Sequence, residues 1–482
     1  MSETLSVAEF FEKVILTAND LIWSNALIIL CIGTGIYFSI RTKFVQVRFM
    51  KDMFSQLFTE GSDDKGVSPF QAFSIAIAGR VGTGNIAGVA TAIAMGGPGA
   101  VFWMWAIAFL GSSTAFIEAT LGQIYKVEKN GNYRGGPAYY IERGMGKKWY
   151  AALFAVCTIV ACAMFLPGVQ SNSIAQSMNS AFDFDPLWVG LGVVLVLVLI
   201  IIGDVKRIGK FSELAVPFMA GAYILMALLI IGLNIEQLPA MIKLILSSAF
   251  GAEATFGGIL GSAIAWGVKR GIYSNEAGQG TAPHAAAAAA TTHPAKQGIL
   301  QAFSVYIDTL FVCTATALMI LFTGMYNVSD GNGGFLQHNL PGVEEGALFT
   351  QAAISAHFPA LGHGFVAFAL LFFAFTTILA YYFIAESNLY YLREKKMHPA
   401  VLWTLRILFL TSVVFGSVTT GGNAWALGDI GVGLMAWLNL IAVLILQKKA
   451  LITLKDYEQQ KKEGRDPVFE PEKLGIKNTS EW

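Results

Sequence analysis

The chain has 482 residues, of which 55% are hydrophobic and 13% charged, and its 32 basic and 32 acidic residues cancel. This balance excludes a soluble globular enzyme and offers no global field to nucleic acid. The apolar residues fall in repeated blocks of about twenty, the length of a helix crossing a ~30 Å hydrocarbon layer, so the chain reads as a polytopic membrane protein.

The N-terminal MSETLSVAEFFEKV is polar and partly acidic, without the basic start of a signal peptide, so the first apolar block is expected to stay as a helix. Eleven spans follow at about 21–40, 70–95, 99–125, 149–179, 187–203, 213–234, 254–290, 298–323, 361–389, 400–418 and 425–447. In hydrocarbon each must satisfy its own backbone bonds, which predicts an all-α bundle. Connections after the odd-numbered spans, with the tail from Lys448, hold 26 of the 32 basic residues. That alternation puts the tail in the cytoplasm and the N-terminus outside a cell membrane. Cys31, Cys157, Cys162 and Cys313 all lie inside apolar segments, as packing residues do.

Within span 2, GRVGTGNIAGVA (Gly79 to Ala90) fits the dinucleotide pattern G-x-G-x-x-G/A through Gly82, Gly84 and Ala87. Such a site needs a preceding strand and an acid about twenty residues on. Neither is present, since no Asp or Glu occurs between Asp64 and Glu118, and no Gly-Lys-Ser/Thr makes it a P-loop. Packing glycines remain open, because Gly84 and Gly88 form a G-x-x-x-G pair. A second glycine-rich polar segment, GVKRGIYSNEAGQGTAP (Gly267 to Pro283), interrupts span 7. Spans 2 and 7 each begin a run of five, and the basic loops give the runs opposite orientation, which points to a 5+5 inverted-repeat transporter preceded by one extra helix. The expected divisions are 1–69, two repeats at 70–240 and 250–448, and a cytoplasmic tail at 449–482. Where such helices unwind, free N–H groups suit a carboxylate and free carbonyls suit an ammonium or Na⁺.

The blocks GRVGTGNIAGVATAIAMGGPGAVFWMWAIAFLGSSTAFIEATLGQIY, KRGIYSNEAGQGTAPHAAAAA and FAFTTILAYYFIAES resemble the alanine or glycine:cation symporter family, over essentially the whole chain. The resemblance implies the inverted-repeat fold of the neurotransmitter:sodium symporters and import of small neutral amino acids with Na⁺, or sometimes H⁺, with no cofactor beyond that ion. It places Gly82, Thr83, Gly84 and Asn85 around the substrate, with Gly271, Tyr273, Ser274 and Asn275 on the second broken helix and Gln170, with Asn172, from span 4. It sets a coupling Na⁺ between the carbonyls of Ala78 and Val81 and the hydroxyls of Thr376 and Thr377. Thr377 and Tyr381 complete the substrate lining. Many family members carry Gly-Trp where this chain has Ala380 and Tyr381, which admits a larger polar substrate such as glutamine.

Arg80, Glu118, Lys269, Arg270, Glu276, Asp308, Glu386 and Asp429 lie in or at the ends of spans, where charges usually pair. Arg80 and Arg270 flank the breaks and are expected to pair with Glu118, Asp308 or Glu276. Glu118 is the first carboxylate to test for proton coupling. His284 and His293 lack ligand spacing for a metal, the FWMW cluster reads as an interfacial anchor, segment 324–360 as a long outer loop with a short helix, and the tail as exposed and mobile. No nucleophile, base and metal cluster marks an enzyme, and a channel would call for symmetric pore helices. Oligomeric state is not legible.

Overall fold

The computed structural model describes residues 7–58, 65–202, 205–253, 255–393 and 397–482. Helices α1 (Val7–Ile22) and α2 (Asn25–Arg41) lead into the short α3 (Val45–Arg48) and α4 (Met50–Leu57). Then come α5 (Pro69–Arg80), a π-helical turn at Gly84–Gly88, α6 (Val89–Gly96) and α7 (Gly99–Ile124). A small hairpin, β1 (Val127–Lys129) with β2 (Asn132–Arg134), precedes α8 (Pro137–Met145). Helices α9 (Lys148–Val160) and α10 (Leu166–Phe182) join through a π segment, followed by α11 (Pro186–Ile201), α12 (Val205–Leu233) and α13 (Leu238–Ala249). Next are α14 (Leu260–Asn275), α15 (Ala282–Ala288), α16 (Pro294–Val305) and, through a second π segment, α17 (Thr314–Thr323). A hairpin of β3 (Asn327–Ser329) and β4 (Phe335–His338) leads to α18 (Ala347–His357), α19 (Gly362–Leu392), α20 (Pro399–Val418) and α21 (Gly421–Lys462).

Several helix starts are local chemistry. Ser68 and Gln71 form a capping box around Pro69, while Asp185, His293 and His398 each accept the N–H of the second residue of α11, α16 and α20, the first being a proline.

Among the described residues, eight helical stretches are long and apolar enough to cross a membrane. The three expected spans outside that set are span 5, where α11 has 16 residues, and spans 2 and 7, each cut in two. Apolar side chains face outward, with Leu195, Leu214 and Phe218 each about 70% exposed or more, while Arg80, Glu118 and Asp308 are buried. That inverted distribution suits a lipid surround, with packing inside left to small residues. A Cβ on Gly298 would collide with the Thr120 side chain of α7, and one on Gly416 with the backbone of Gly168, so α20 meets α10 at backbone distance.

Three expectations change. The connection after span 6 holds a helix, α13, that no expected span covers, and the half-buried Trp103 donates its indole N–H to Ala249 O at its end, 3.1 Å away. Helix α21 runs 42 residues, roughly 63 Å, well past the end of span 11. Nor is the tail loose: Phe469 N donates to Thr292 O at 3.0 Å, Trp482 Nε1 to Gln123 O at 3.0 Å, and Lys296 pairs with Asp466 at 2.6 Å.

Candidate substrate and cation site

Helix α5 ends where Val81 (φ −77°, ψ 89°) leaves helical space, and regular backbone resumes only in the π turn from Gly84. The donors freed at this gap are met by side-chain amides. Gly82 N donates to Asn85 Oδ1 at 2.8 Å and Thr83 N to Gln170 Oε1 at 3.0 Å. Two adjacent N–H groups at the start of a helical segment, here accepted by neutral side-chain oxygens, are donors of the kind a carboxylate can take. Thr83 Oγ1 is buried beside them with no hydrogen-bond partner. A Cβ on Gly82 would collide with Thr377 Oγ1, and one on Gly84 would lie 3.0 Å from Ser274 Cα, so these glycines are the condition for close approach.

The second break follows Asn275. Glu276 (φ 57°), Gly278 (φ 91°) and Gly280 (φ 82°) all take left-handed backbone. Several of its polar groups are tied: Ala277 N donates to Asn275 Oδ1 at 3.0 Å, Gly278 N to Glu118 Oε1 at 3.2 Å, and Thr281 Oγ1 to Glu276 Oε2 at 2.9 Å, while Glu276 Oε1 is buried with no hydrogen-bond partner among the described residues. Asn439 Nδ2 donates both to Glu118 Oε2 at 2.7 Å and to Gly278 O at 2.9 Å.

The breaks meet. Arg80 Nε donates to Asn275 O at 2.6 Å, and Asp308 accepts from Asn85 Nδ2 at 2.6 Å, Ser274 Oγ at 3.0 Å and Thr309 Oγ1 at 2.6 Å. Asp308 is thereby a polar hub between both broken helices. Sequence reasoning offered it as an ion-pair partner. The signal that could have found it is the only carboxylate in span 8, in the π segment Tyr306–Cys313.

Of the expected substrate residues, Gly82, Thr83, Gly84, Asn85, Gln170, Ser274 and Asn275 gather here, and Tyr273 lies against Gly84 with its ring 4.9 Å from that of Trp425. Tyr381 is buried on α19, next to Ala380, which faces Gly79. Gly271 is not brought in: a Cβ there would strike Ile107 of α7, so it is a packing glycine. Asn172 donates to Gly416 O at 3.0 Å and Thr419 O at 2.8 Å, closing the end of α20 instead of facing the gap. Gly88 has nothing closer than Trp425 at 3.7 Å, so it makes no tight glycine contact.

The cation position is built from oxygen. Thr377 Oγ1 sits 2.7 Å from Ala78 O, 3.4 Å from Val81 O and 3.0 Å from Phe373 O. Thr376 points elsewhere, donating to Phe373 O at 2.9 Å with Met219 Sδ 3.8 Å away, because adjacent helical residues project about 100° apart. Both threonines return to the same carbonyl of their own helix, Phe373 O, and Thr377 also reaches the carbonyls of the first break.

The arginines behave differently from expectation. Arg270 forms a two-pronged pair with Asp429, both bonds 2.9 Å, and Lys269 Nζ lies 2.8 Å from the same carboxylate. Arg80 has no carboxylate within ion-pair distance among the described residues and donates to Gln301 and Ser304 besides Asn275. A cavity of about 410 Å³ opens beside the Arg270–Asp429 pair, lined also by Trp266, Trp425, Glu344, Glu345 and Ala87 of the π turn. His284 is bonded to Thr281 O and Asn388, and no group of three potential metal ligands occurs among the described residues.

Comparison with known proteins agrees with this architecture. YrbD of Bacillus subtilis (strain 168) is 59% identical over 464 residues, 96% of both chains. The sodium/proton-dependent alanine carrier protein of Bacillus sp. (strain PS3) is 51% identical over 426 residues, 87% of this chain and 95% of that one. The probable sodium/glutamine symporter GlnT of Bacillus subtilis (strain 168) is 46% identical over 464 residues, 96% of this chain and 94% of that one. The solved structure of a Na⁺-coupled sialic acid symporter shares the fold, with TM-score 0.50 at 12% identity over 94% of this chain and 93% of that one. The family description "Sodium:alanine symporter family" matches residues 8–471, and the chain belongs to that family of membrane transporters.

Proposed function

We propose that this chain is a Na⁺-coupled symporter importing small neutral amino acids by alternating access. The observation that carries the reading is the gap at Gly82 and Thr83, where two backbone donors are held by the amide oxygens of Asn85 and Gln170 next to an all-oxygen position at Thr377. An amino-acid carboxylate would displace those amides and take both N–H groups. Na⁺ would sit among Ala78 O, Val81 O, Phe373 O and Thr377 Oγ1, a neutral hard-oxygen set. Thr377 now donates its proton to a carbonyl there, so cation entry requires the hydroxyl to turn and present a lone pair. Coupling follows: the first break carries both the carbonyls for Na⁺ and the donors for the carboxylate, and each ligand stabilises the backbone the other needs.

Within the same reading the chain is a 5+5 inverted repeat after one extra helix, with eleven spans, an outer N-terminus and a cytoplasmic tail. The Arg270–Asp429 pair closes the outer side, below the 410 Å³ cavity. Two variations are favoured by specific observations. Tyr381 beside Ala380, together with the similarity to GlnT, supports glutamine as a competing substrate. Glu118, bridging Gly278 N and Asn439 at the second break, is the carboxylate through which H⁺ would couple. Proteoliposomes holding only this protein test the core claim: saturable uptake of labelled alanine should need an inward Na⁺ gradient, and Na⁺-indifferent leak would sink it. Excess unlabelled glutamine then reports the substrate.

A further inference from the structure

The end of the bundle that carries the basic connections holds a second built cavity. It measures about 450 Å³ and lies between the C-terminal end of α2 and the C-terminal third of α21, lined by Arg41, Lys43, Arg48, Lys448, Lys455 and Glu458 with Thr42, Leu451, Ile452 and Leu454. On α21 the spacing of Lys448, Leu451, Lys455 and Glu458 puts all four on one helical face. Two consecutive left-handed residues, Lys43 (φ 53°) and Phe44 (φ 55°), turn the chain sharply after α2 and bring Arg48 back over its end.

The charges here do not balance. Glu458 is already taken by Arg48 at 2.7 Å, and Arg48 also donates to Lys43 O at 2.6 Å and Thr42 O at 2.7 Å. Arg41 donates to Tyr37 and lies over its ring, and it makes no ion pair within 4 Å among the described residues. Lys43, Lys448 and Lys455 are exposed and make no ion pair within 4 Å among the described residues. Five cations therefore surround one carboxylate in a concave site, an excess of positive charge that attracts an anion.

The surroundings are apolar. Ile36 and Ile40 of α2, and Ile445 and Ile452 of α21, are exposed on the helices that wall the cavity, and Phe44, Val47, Met50 and Phe54 are exposed on the turn and the short helices beside it. Helices α3 and α4 bury Val45 and Met53 and leave Val47, Met50 and Phe54 exposed, an apolar surface of the kind a bilayer interface takes. A cationic pocket at headgroup level, continuous with an acyl-chain surface, suits one ligand class.

We propose that this cavity binds the phosphate of an anionic phospholipid, with Lys43, Lys448 and Lys455 on the phosphate and the acyl chains along the exposed isoleucines. The occupant ties the extra helix α2 to the last helix α21, so it braces the periphery of the bundle apart from the substrate site. A soluble phosphate shares the headgroup chemistry but would gain nothing from the apolar wall.

The test uses the full-length protein in neutral detergent, with thermal unfolding followed against added phosphatidylglycerol, phosphatidylcholine or inorganic phosphate. Phosphatidylglycerol should raise the midpoint saturably, phosphatidylcholine should not, and phosphate at millimolar concentration should not. The triple variant Lys43→Gln/Lys448→Gln/Lys455→Gln should need at least about tenfold more phosphatidylglycerol, one cation near an anionic surface being worth about fivefold. A matched variant on the same face, Lys51→Gln/Lys129→Gln/Lys147→Gln, should behave as the parent. Should the triple variant not fold, phosphatidylglycerol retained through purification by parent and by Lys455→Gln is compared by native mass spectrometry. Equal retention, equal lipid response in the two triple variants, or an equal shift with phosphate alone would each overturn the assignment.

Discussion

The two broken helices do the same topological job with opposite chemistry. The first opens with a single residue out of helical space and leaves its donors to side-chain amides that can let go, while the second is set by three left-handed residues and tied by Glu118, Thr281 and Asn439. Their arginines differ likewise. Arg270 is paired with a carboxylate, and Arg80 spends its donors on a carbonyl and neutral side chains. On the function proposed above, ligand exchange belongs to the first break and the second supplies the wall.

The largest effect expected from breaking this contrast is on stability. Asp429→Asn strands Arg270 and Lys269 in the bundle, and the loss of a buried partner should cost about 3–5 kcal/mol in detergent unfolding measurements. A loss below about 1 kcal/mol would show the pair to be solvated. Next comes Gly82→Ala, whose Cβ collides with Thr377: Na⁺-driven uptake should fall about 100-fold through misplacement of the donors, with the unfolding midpoint little changed. Normal uptake by that variant would move the ligand away from the first break.

A finer division concerns neighbours on α19. Thr377→Ala should raise the Na⁺ concentration for half-maximal uptake about tenfold, a typical worth for one ligating oxygen, whereas Thr376→Ala should change it less than twofold. If the two variants behave alike, the oxygen set has been misassigned. The smallest effect involves the docked tail. Burial holds the His293 imidazole down, to about 4, against its bond to Asp456. His293 is thus neutral when folded, and its contribution is full above about pH 6.5 and lost as the pH falls toward 4. Going from pH 7.5 to 6.0 should weaken tail docking by at most about 0.8 kcal/mol, read as faster proteolysis after Lys462, and His293→Gln should remove the pH dependence.

Much of this was legible beforehand. The helical stretches follow from runs of apolar residues, and the break positions from glycine beside Asn85 and Asn275. The resemblance led to Gln170 and Thr377, both of which reach the first break. Illegible were the partners. Asp308, Asp429 and Asn439 stand 223, 159 and 321 residues from the Asn85, Arg270 and Glu118 they meet. The docked tail was misread because charge and proline look alike in a loose segment and in one pinned by Phe469 and Trp482.

By itself the sequence determined that the chain spans a membrane as helices, and which two are interrupted, because hydrocarbon leaves backbone only one local solution and glycine marks where it is abandoned. Only the tertiary structure decided which oxygens face which gap. Rotation of one helix by a single residue exchanges Thr377 for Thr376, and that rotation is set by packing between segments far apart in the chain, where no local propensity reaches.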